Sequence, residues 1–280
     1  MSIEQTKLSI CADDYGITDK VSEAIISLIS IDRISETSCM ITRPNIKNDI
    51  NSLLIHKNKI NIGLHLTLTD FNSLSSFNKD KKLPSYKNLF FSTLKRKISK
   101  NLINDEINSQ LDKFENIFGF SPNFIDGHHH VHQLPVINNC LINIIKDRYK
   151  DNSYWVRNSA ENFLKLIKRK TNFLKAFALS SYGNKFKKIL ENNNIKTNDG
   201  FSGIYNFSDQ TNYEELFLSF LNNINNNHLL MVHPGYSDDK LKNLDSVTHT
   251  RNLEYNFLSS DIFLKILHDK KIKLNPLFKI

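Results

Sequence analysis

Short apolar, β-branched runs alternate along this chain with longer stretches whose apolar residues recur at intervals of three and four. The first pattern predicts strands at residues 8–12, 37–41, 60–66, 124–126, 154–156, 203–205, 229–233 and 272–274. The second predicts helices between them. The clearest follows Thr18 and Asp19, either of which offers an N-cap before Val21, Ala24, Ile25, Leu28 and Ile29. Residues 101–118 repeat the period through Leu102, Ile103, Ile107, Leu111, Phe114 and Phe118, with Gly119 as a stop. Residues 251–268 predict one last long helix through Leu253, Phe257, Ile262, Leu264 and Leu267. Such alternation builds βα units around a parallel sheet. Seven or eight strands within 280 residues fit an α/β fold of the (β/α) barrel kind, regular or distorted, in one domain over residues 1–280. A doubly wound open sheet is the alternative.

In either architecture functional groups gather where strands end and loops begin. Asp13, Asp14, His65, His128 and His233 all fall at that edge. Two adjacent carboxylates suit divided roles, one held ionised by a metal and the other free to move protons. Side chains alternate along a strand, so the turn at Tyr15-Gly16 is needed to bring both into one pocket. Asp before a helix is also a common N-cap, and a lone His65 is more often structural. The run His128-His129-His130-Val131-His132 beside Asp126 is harder to set aside. Four imidazoles buried together need partners, and a metal with a supporting carboxylate supplies them. On a helix His128 and His132 would share a face, in extended chain His128 and His130, and spacing does not choose. His233 precedes Pro234-Gly235, so a rigid turn holds it at the rim, as suits an acid or base. His249 and His268 lie in predicted helices and carry no chemistry in this reading.

Two polar intervals interrupt the alternation. Residues 71–93 read as an insertion over the strand ends, a candidate substrate lid, and residues 180–199 are long enough to do the same.

Composition narrows the class by exclusion. The chain is 40% hydrophobic and 24% charged, with no apolar run long enough to span a membrane and no signal-peptide pattern at its start, so a cytoplasmic location is expected. Cys11, Cys39 and Cys140 have no CxxC spacing and read as reduced core residues. The net charge of +8 raises nucleic acid as a partner. Acidic residues are interspersed, however, and no nucleic-acid motif accompanies the charge. GxSxG, GxGxxG and P-loop patterns are absent, which removes the main support for serine-hydrolase, dinucleotide and nucleotide readings.

Several elements together resemble a known family, the YdjC-like carbohydrate deacetylases, which include chitooligosaccharide deacetylases and the hopanoid-associated HpnK proteins. Ala12-Asp13-Asp14-Tyr15-Gly16 resembles the family's ADDFG or ADDYG element, and Gly63-Leu64-His65-Leu66-Thr67-Leu68-Thr69 its GLHLxLT element. Ile125-Asp126-Gly127-His128-His129-His130-Val131-His132 is similar to IDSHHHVH. Val156-Arg157, Phe201-Ser202-Gly203 and His233-Pro234-Gly235-Tyr236 follow in order. The resemblance implies a distorted (β/α) barrel that removes an acetyl group from an N-acetylated sugar or glycoconjugate. It implies one divalent metal ion (Mg²⁺ or Zn²⁺, with Mn²⁺ or Co²⁺ also compatible) held by Asp14, His65 and His128. It further implies Asp13 as general base, His233 as general acid and Arg157 as the residue that orients the base. Gly127 departs from the usual Ser. Arg43, in Ile41-Thr42-Arg43-Pro44, also departs from the pattern, and its position would let it reach the pocket rim and favour a charged glycan. Other metal-dependent amide or phosphoester hydrolysis, or a non-catalytic glycan- or metal-binding barrel, are the competing functions. Oligomeric state is left open by the sequence, a homodimer included.

Overall fold

The strands pair in parallel around a central first strand, and their alternation divides the protein into an inner and an outer core. The computed structural model describes residues 5–43, 46–77, 80–150, 153–161, 166 and 173–278. Its strands are β1 (Thr6–Tyr15), β2 (Glu36–Cys39), β3 (Asn61–Leu66), β4 (Phe124–Gly127), β5 (Trp155–Val156), β6 (Gly200–Ser202), β7 (His228–Val232) and β8 (Ile272–Leu274). Their order is β5-β4-β3-β2-β1-β7-β6, with β8 paired to the start of β1 along Thr6–Leu8 before β2 takes over at Cys11. The principal helices are α1 (Asp19–Ser30), α2 (Ile46–Leu54), α3 (Tyr86–Leu94), α4 (Lys100–Phe118), α5 (Ile137–Arg148) and α6 (Phe173–Asn192). They are followed by α7 (Tyr213–Phe220), the single turn α8 (Asp239–Lys242), α9 (His249–Ser259) and α10 (Asp261–Asp269).

This is a distorted (β/α) barrel rather than a doubly wound sheet. Between the end strands β5 and β6 there is no ladder among the described residues, and the seam is tied by one backbone bridge, Trp155 with Lys196, and by side chains. Val156 donates its N–H to the Lys196 carbonyl. Asn158 and Asn198 exchange side-chain and backbone bonds of 2.7–2.9 Å, which satisfies backbone groups that a ladder would otherwise take.

Ile10, Ala12, Ile62, Leu64, Ile125, Val156, Leu230 and Val232 point outward into the large core beneath the helices. The intervening residues point inward. Cys11, Phe124, Trp155, Phe201, Leu229 and Met231 form a second cluster inside the barrel, with Phe124 stacked on Trp155 at 4.6 Å between ring centroids. Gly63 faces the Phe124 ring so closely that a Cβ would strike it. One step further toward the carboxyl ends, the inward register brings Asp13, His65, Asp126 and Arg157. The same period-two pattern that fills the barrel therefore lines its mouth with ionisable groups.

Most predicted elements appear within a residue or two of their expected limits, and α4 ends at Gly119 in the left-handed conformation. Three expectations change. The strand expected at 203–205 lies at Gly200–Ser202, because Gly203, at φ +117°, turns the chain away where a Cβ would collide with the Met231 carbonyl. The single helix over 251–268 is two, divided at Ser260, whose hydroxyl accepts the Phe263 N–H and caps α10. The polar interval 180–199 is not a loop through most of its length, since α6 runs to Asn192.

Candidate metal centre and active site

The two carboxylates reach one pocket through a bulge in β1. Its register against β2 shifts between Ala12 and Tyr15, and Asp14 sits at φ 67°. Asp tolerates the left-handed region better than most residues, at a cost of roughly 1–2 kcal/mol. The device lies at Asp14 itself, one residue earlier than the predicted turn at Tyr15-Gly16. Asp13 keeps the inward register; Asp14 escapes the alternation and meets the histidines.

Asp14 Oδ1 lies 3.3 Å from His65 Nε2 and 3.2 Å from His128 Nδ1, and one donor atom from each of the three residues lies within 4.8 Å of the others. Nδ1 of His65 lies 2.7 Å from Asp126 Oδ1. A carboxylate accepts, so that nitrogen carries a proton, and Nε2, the atom facing Asp14, is the one whose lone pair a bound cation would take. Burial opposes a charge on His65, yet Asp126, Asp14 and Asp13 outweigh it and push the imidazole up to about 10. Two imidazoles, a carboxylate, a fixed tautomer and a field that draws positive charge match the donor chemistry of a divalent-cation site. Tests of the fit thus favour Asp14, His65 and His128.

The four-imidazole run is neither a regular helix nor a strand. Residues His128–Gln133 form a 3-10 segment in which His129 and His130 both take positive φ, 54° and 56°. Consequently the rings diverge. His128 turns to Asp14, His129 to Thr69, His130 to Ser159, and His132 donates Nε2–H to the Arg157 carbonyl. A Cβ at Gly127 would crowd His132 Nδ1, which is buried without a hydrogen-bond partner among the described residues.

Asp13 stays outside the triad because Arg157 holds it, donating to both carboxylate oxygens at 2.7 Å. The same guanidinium lies 2.6 Å from Asp126 Oδ2. Burial raises the Asp13 carboxyl, but Arg157 overcomes it and holds Asp13 well below the usual carboxylate range. Ser38, inward on β2, donates at 3.3 Å to Asp13 Oδ1. His233, just past β7, donates its backbone N–H to Glu254 and packs its ring edge-on against Phe207, while its Nδ1 has no hydrogen-bond partner among the described residues.

Asp13, Asp14, His65, His128 and His233 open into a cavity of about 740 Å³. Its walls include Tyr86 and Phe90 of α3, Leu179 and Tyr182 of α6, and Phe207. Both polar intervals singled out in the sequence therefore contribute wall residues. The first is anchored by buried Glu106, which accepts from Leu74 N–H, Ser75 N–H and the Ser75 hydroxyl; Asn78 and Lys79 lie outside the described residues. Arg43 does not line the cavity, and its guanidinium lies 4.9 Å over the Phe71 ring. Cys11 is 3.6 Å from Asp13, and burial pushes its thiol up, away from the thiolate a nucleophile requires.

One residue of this centre escaped the sequence. Arg251, fully buried on α9, binds Asp14 Oδ2 at 2.6 Å and Asp245 Oδ2 at 2.6 Å. It lies 237 residues from its partner and carries no motif of its own. Ser38 was findable from the alternation of β2, but not its bond to Asp13.

Comparison with known proteins places the chain in a family. A family model described as YdjC-like protein matches residues 7–269. A carbohydrate deacetylase of Clostridium beijerinckii is 26% identical over 274 residues, spanning 96% of this chain and 97% of its own length. A chitooligosaccharide deacetylase of Yersinia pestis is 30% identical over 132 residues, 46% of this chain and 52% of the relative. Among solved structures, an Enterococcus faecalis protein described as a candidate cellobiose-phosphate cleavage protein superposes with a TM-score of 0.72 at 19% identity, covering 97% of each chain.

Proposed function

This chain belongs to the YdjC-like family, and from that premise we propose that it is a metal-dependent hydrolase removing the acetyl group from an N-acetylated sugar or glycoconjugate. The observation that carries the reading is the division of labour between Asp13 and Asp14. Asp14 joins His65 and His128, whereas the neighbouring Asp13 is held apart, ionised, by Arg157. A divalent cation held by Asp14, His65 and His128 would supply Lewis-acid polarisation of the acetamide carbonyl and of water. Asp13 takes the proton of the attacking water. A carboxylate so strongly stabilised is a weak base, so its contribution rests on position, which Arg157 and Ser38 fix. His233, with a ring nitrogen uncommitted to any group among the described residues, returns a proton to the departing amine, and acetate is released.

The cavity supports a neutral glycan over a phosphoester. Among the described residues its lining carries Asp13, Asp14 and Asp245 but no Lys or Arg. Arg157 and Arg251 are already committed to carboxylates. A phosphate dianion would enter a field of its own sign, whereas an acetamide would not. The rings of Tyr86, Phe90, Tyr182 and Phe207 offer faces to the apolar sides of sugar rings.

The test is acetate release from a panel of N-acetylated sugars by metal-stripped protein with Mg²⁺, Zn²⁺, Mn²⁺ or Co²⁺ restored. Asp13→Asn should keep metal binding and lose about 10²–10⁴-fold in rate, the span of a general base. Full activity in that variant would break the mechanism.

A further inference from the structure

The histidine run sends three rings, His128, His129 and His130, to the cavity, and the mechanism above does not use the last of them. His130 lines the cavity beside Asp13 and His233. Its Nδ1 lies 3.1 Å from Ser159 Oγ, and its Nε2 has no hydrogen-bond partner among the described residues. Which nitrogen carries the proton follows from a chain of bonds that starts at a group unable to reverse. The Ser159 backbone N–H can only donate, and it meets Gln133 at 2.9 Å, so the atom there is Oε1. The other arm of the amide is therefore Nε2, a donor, 3.0 Å from Ser159 Oγ. Having accepted from Gln133, the Ser159 hydroxyl has its own proton to give, and His130 Nδ1 is the acceptor in reach. That leaves the imidazole proton on Nε2, the atom with no protein partner.

The surroundings hold this arrangement firmly. Gly183 of α6 packs so tightly on the Ser159 backbone that any Cβ there would collide with it. His129 and His130 sit consecutively at positive φ, a strained conformation that persists only where neighbours over-determine it. The strain has a structural effect: it turns His130 away from the line taken by His128.

We infer that His130 is a substrate-binding residue, its imidazole held in the Nε2–H tautomer by Ser159 and Gln133 so that it donates to an oxygen of the bound amino sugar. The inference deepens the deacetylase reading and rests on it for the identity of the ligand. A donor that grips an unreacting oxygen binds ground state and transition state alike, so its loss raises KM and spares kcat. It is a specificity device, and takes no proton from the reaction.

The first arm of the test needs no substrate. Long-range ¹H–¹⁵N spectra of the metal-loaded protein should show His130 protonated at Nε2, with that preference lost in Ser159→Ala. The second arm uses whichever N-acetylated sugar in the panel releases acetate fastest. His130→Ala should raise KM about tenfold, the loss of one good hydrogen bond, with kcat within about threefold. Metal affinity and the pH profile should be unchanged, and His130→Gln, which restores an N–H donor, should recover part of the loss. An Nδ1–H tautomer, or an unchanged KM in His130→Ala, overturns the inference. Wild-type protein that releases no acetate from any sugar tells against the deacetylase reading instead, and the tautomer measurement still decides the orientation of His130.

Discussion

Replacing Asp126 by Asn should weaken metal binding at Asp14, His65 and His128 although Asp126 is outside that triad. Its Oδ1 accepts from His65 Nδ1 at 2.7 Å, its Oδ2 makes an ion pair with Arg157 at 2.6 Å, and all three groups are buried. An amide of the same shape cannot satisfy both. With its NH₂ toward Arg157, two donors face each other in a dry site and the buried ion pair with the guanidinium is lost. With its NH₂ toward His65, Nδ1 must accept, and the imidazole proton moves to Nε2, the atom facing Asp14. A tautomer change costs less than a buried donor clash, so the second orientation wins and the Nε2 lone pair is lost to the cation. Loss of such a supporting group lowers metal affinity about 10–100-fold, or roughly 1.4–2.7 kcal/mol. Titration calorimetry of metal-stripped wild-type and Asp126→Asn protein with Zn²⁺ or Mn²⁺ measures this directly. Stabilisation by saturating metal should fall by the same amount, so its Tm increment should shrink by about 2–5 °C. A folded Asp126→Asn protein that binds metal within threefold of wild type would refute the tautomer argument.

Three further outcomes are expected. Arg157→Leu leaves the buried carboxylates Asp13 and Asp126 without their shared cation and should cost about 3–5 kcal/mol, lowering Tm by on the order of 10 °C; an unchanged melting curve would contradict it. Burial pushes Glu36 up to about 8 despite hydrogen bonds from Leu277 N–H and Asn61. The folded value lies above the unfolded one, so this group's contribution to stability is complete below about pH 4.3 and is lost as pH rises through about 8. Tm should thus decline from pH 5 to 9, and Glu36→Gln should flatten that slope; an identical slope in the variant would exclude Glu36 as its source. Burial also lowers His233 below its ordinary 6.5, although Asp14 and Asp13 pull the other way. An acid that must be protonated then makes kcat fall as pH rises through a value below 6.5, and His233→Ala should remove this limb while keeping metal affinity. Persistence of the limb in the variant would take the acid role from His233.

Much of the site was legible because it depends on period two. The inward register of β1, β3, β4 and β7 runs through Asp13, His65, Asp126 and His233, and apolar residues elsewhere on these strands mark which face is which. The break between α9 and α10 was hidden because apolar residues continue across Ser260 at helical intervals, while the capping bond that divides them is local. The start of β6 was misplaced for a similar reason: Gly203 fits an apolar run in sequence but meets the Met231 carbonyl in space.

The sequence by itself determined the alternating barrel and the ionisable groups at its carboxyl edge, because side-chain periodicity and turn chemistry are properties of neighbouring residues; the choice of Asp14, His65 and His128 as ligands came from the family resemblance, not from spacing. Tertiary structure decided the rest. Only the bulge at Asp14 separates its duty from that of Asp13. Two adjacent left-handed histidines send four similar rings to four different partners. Arg157 and Arg251 reach Asp13 and Asp14 from 144 and 237 residues away. Charge pairing inside a barrel acts through distance in space, and the order of residues along the chain carries no measure of that distance.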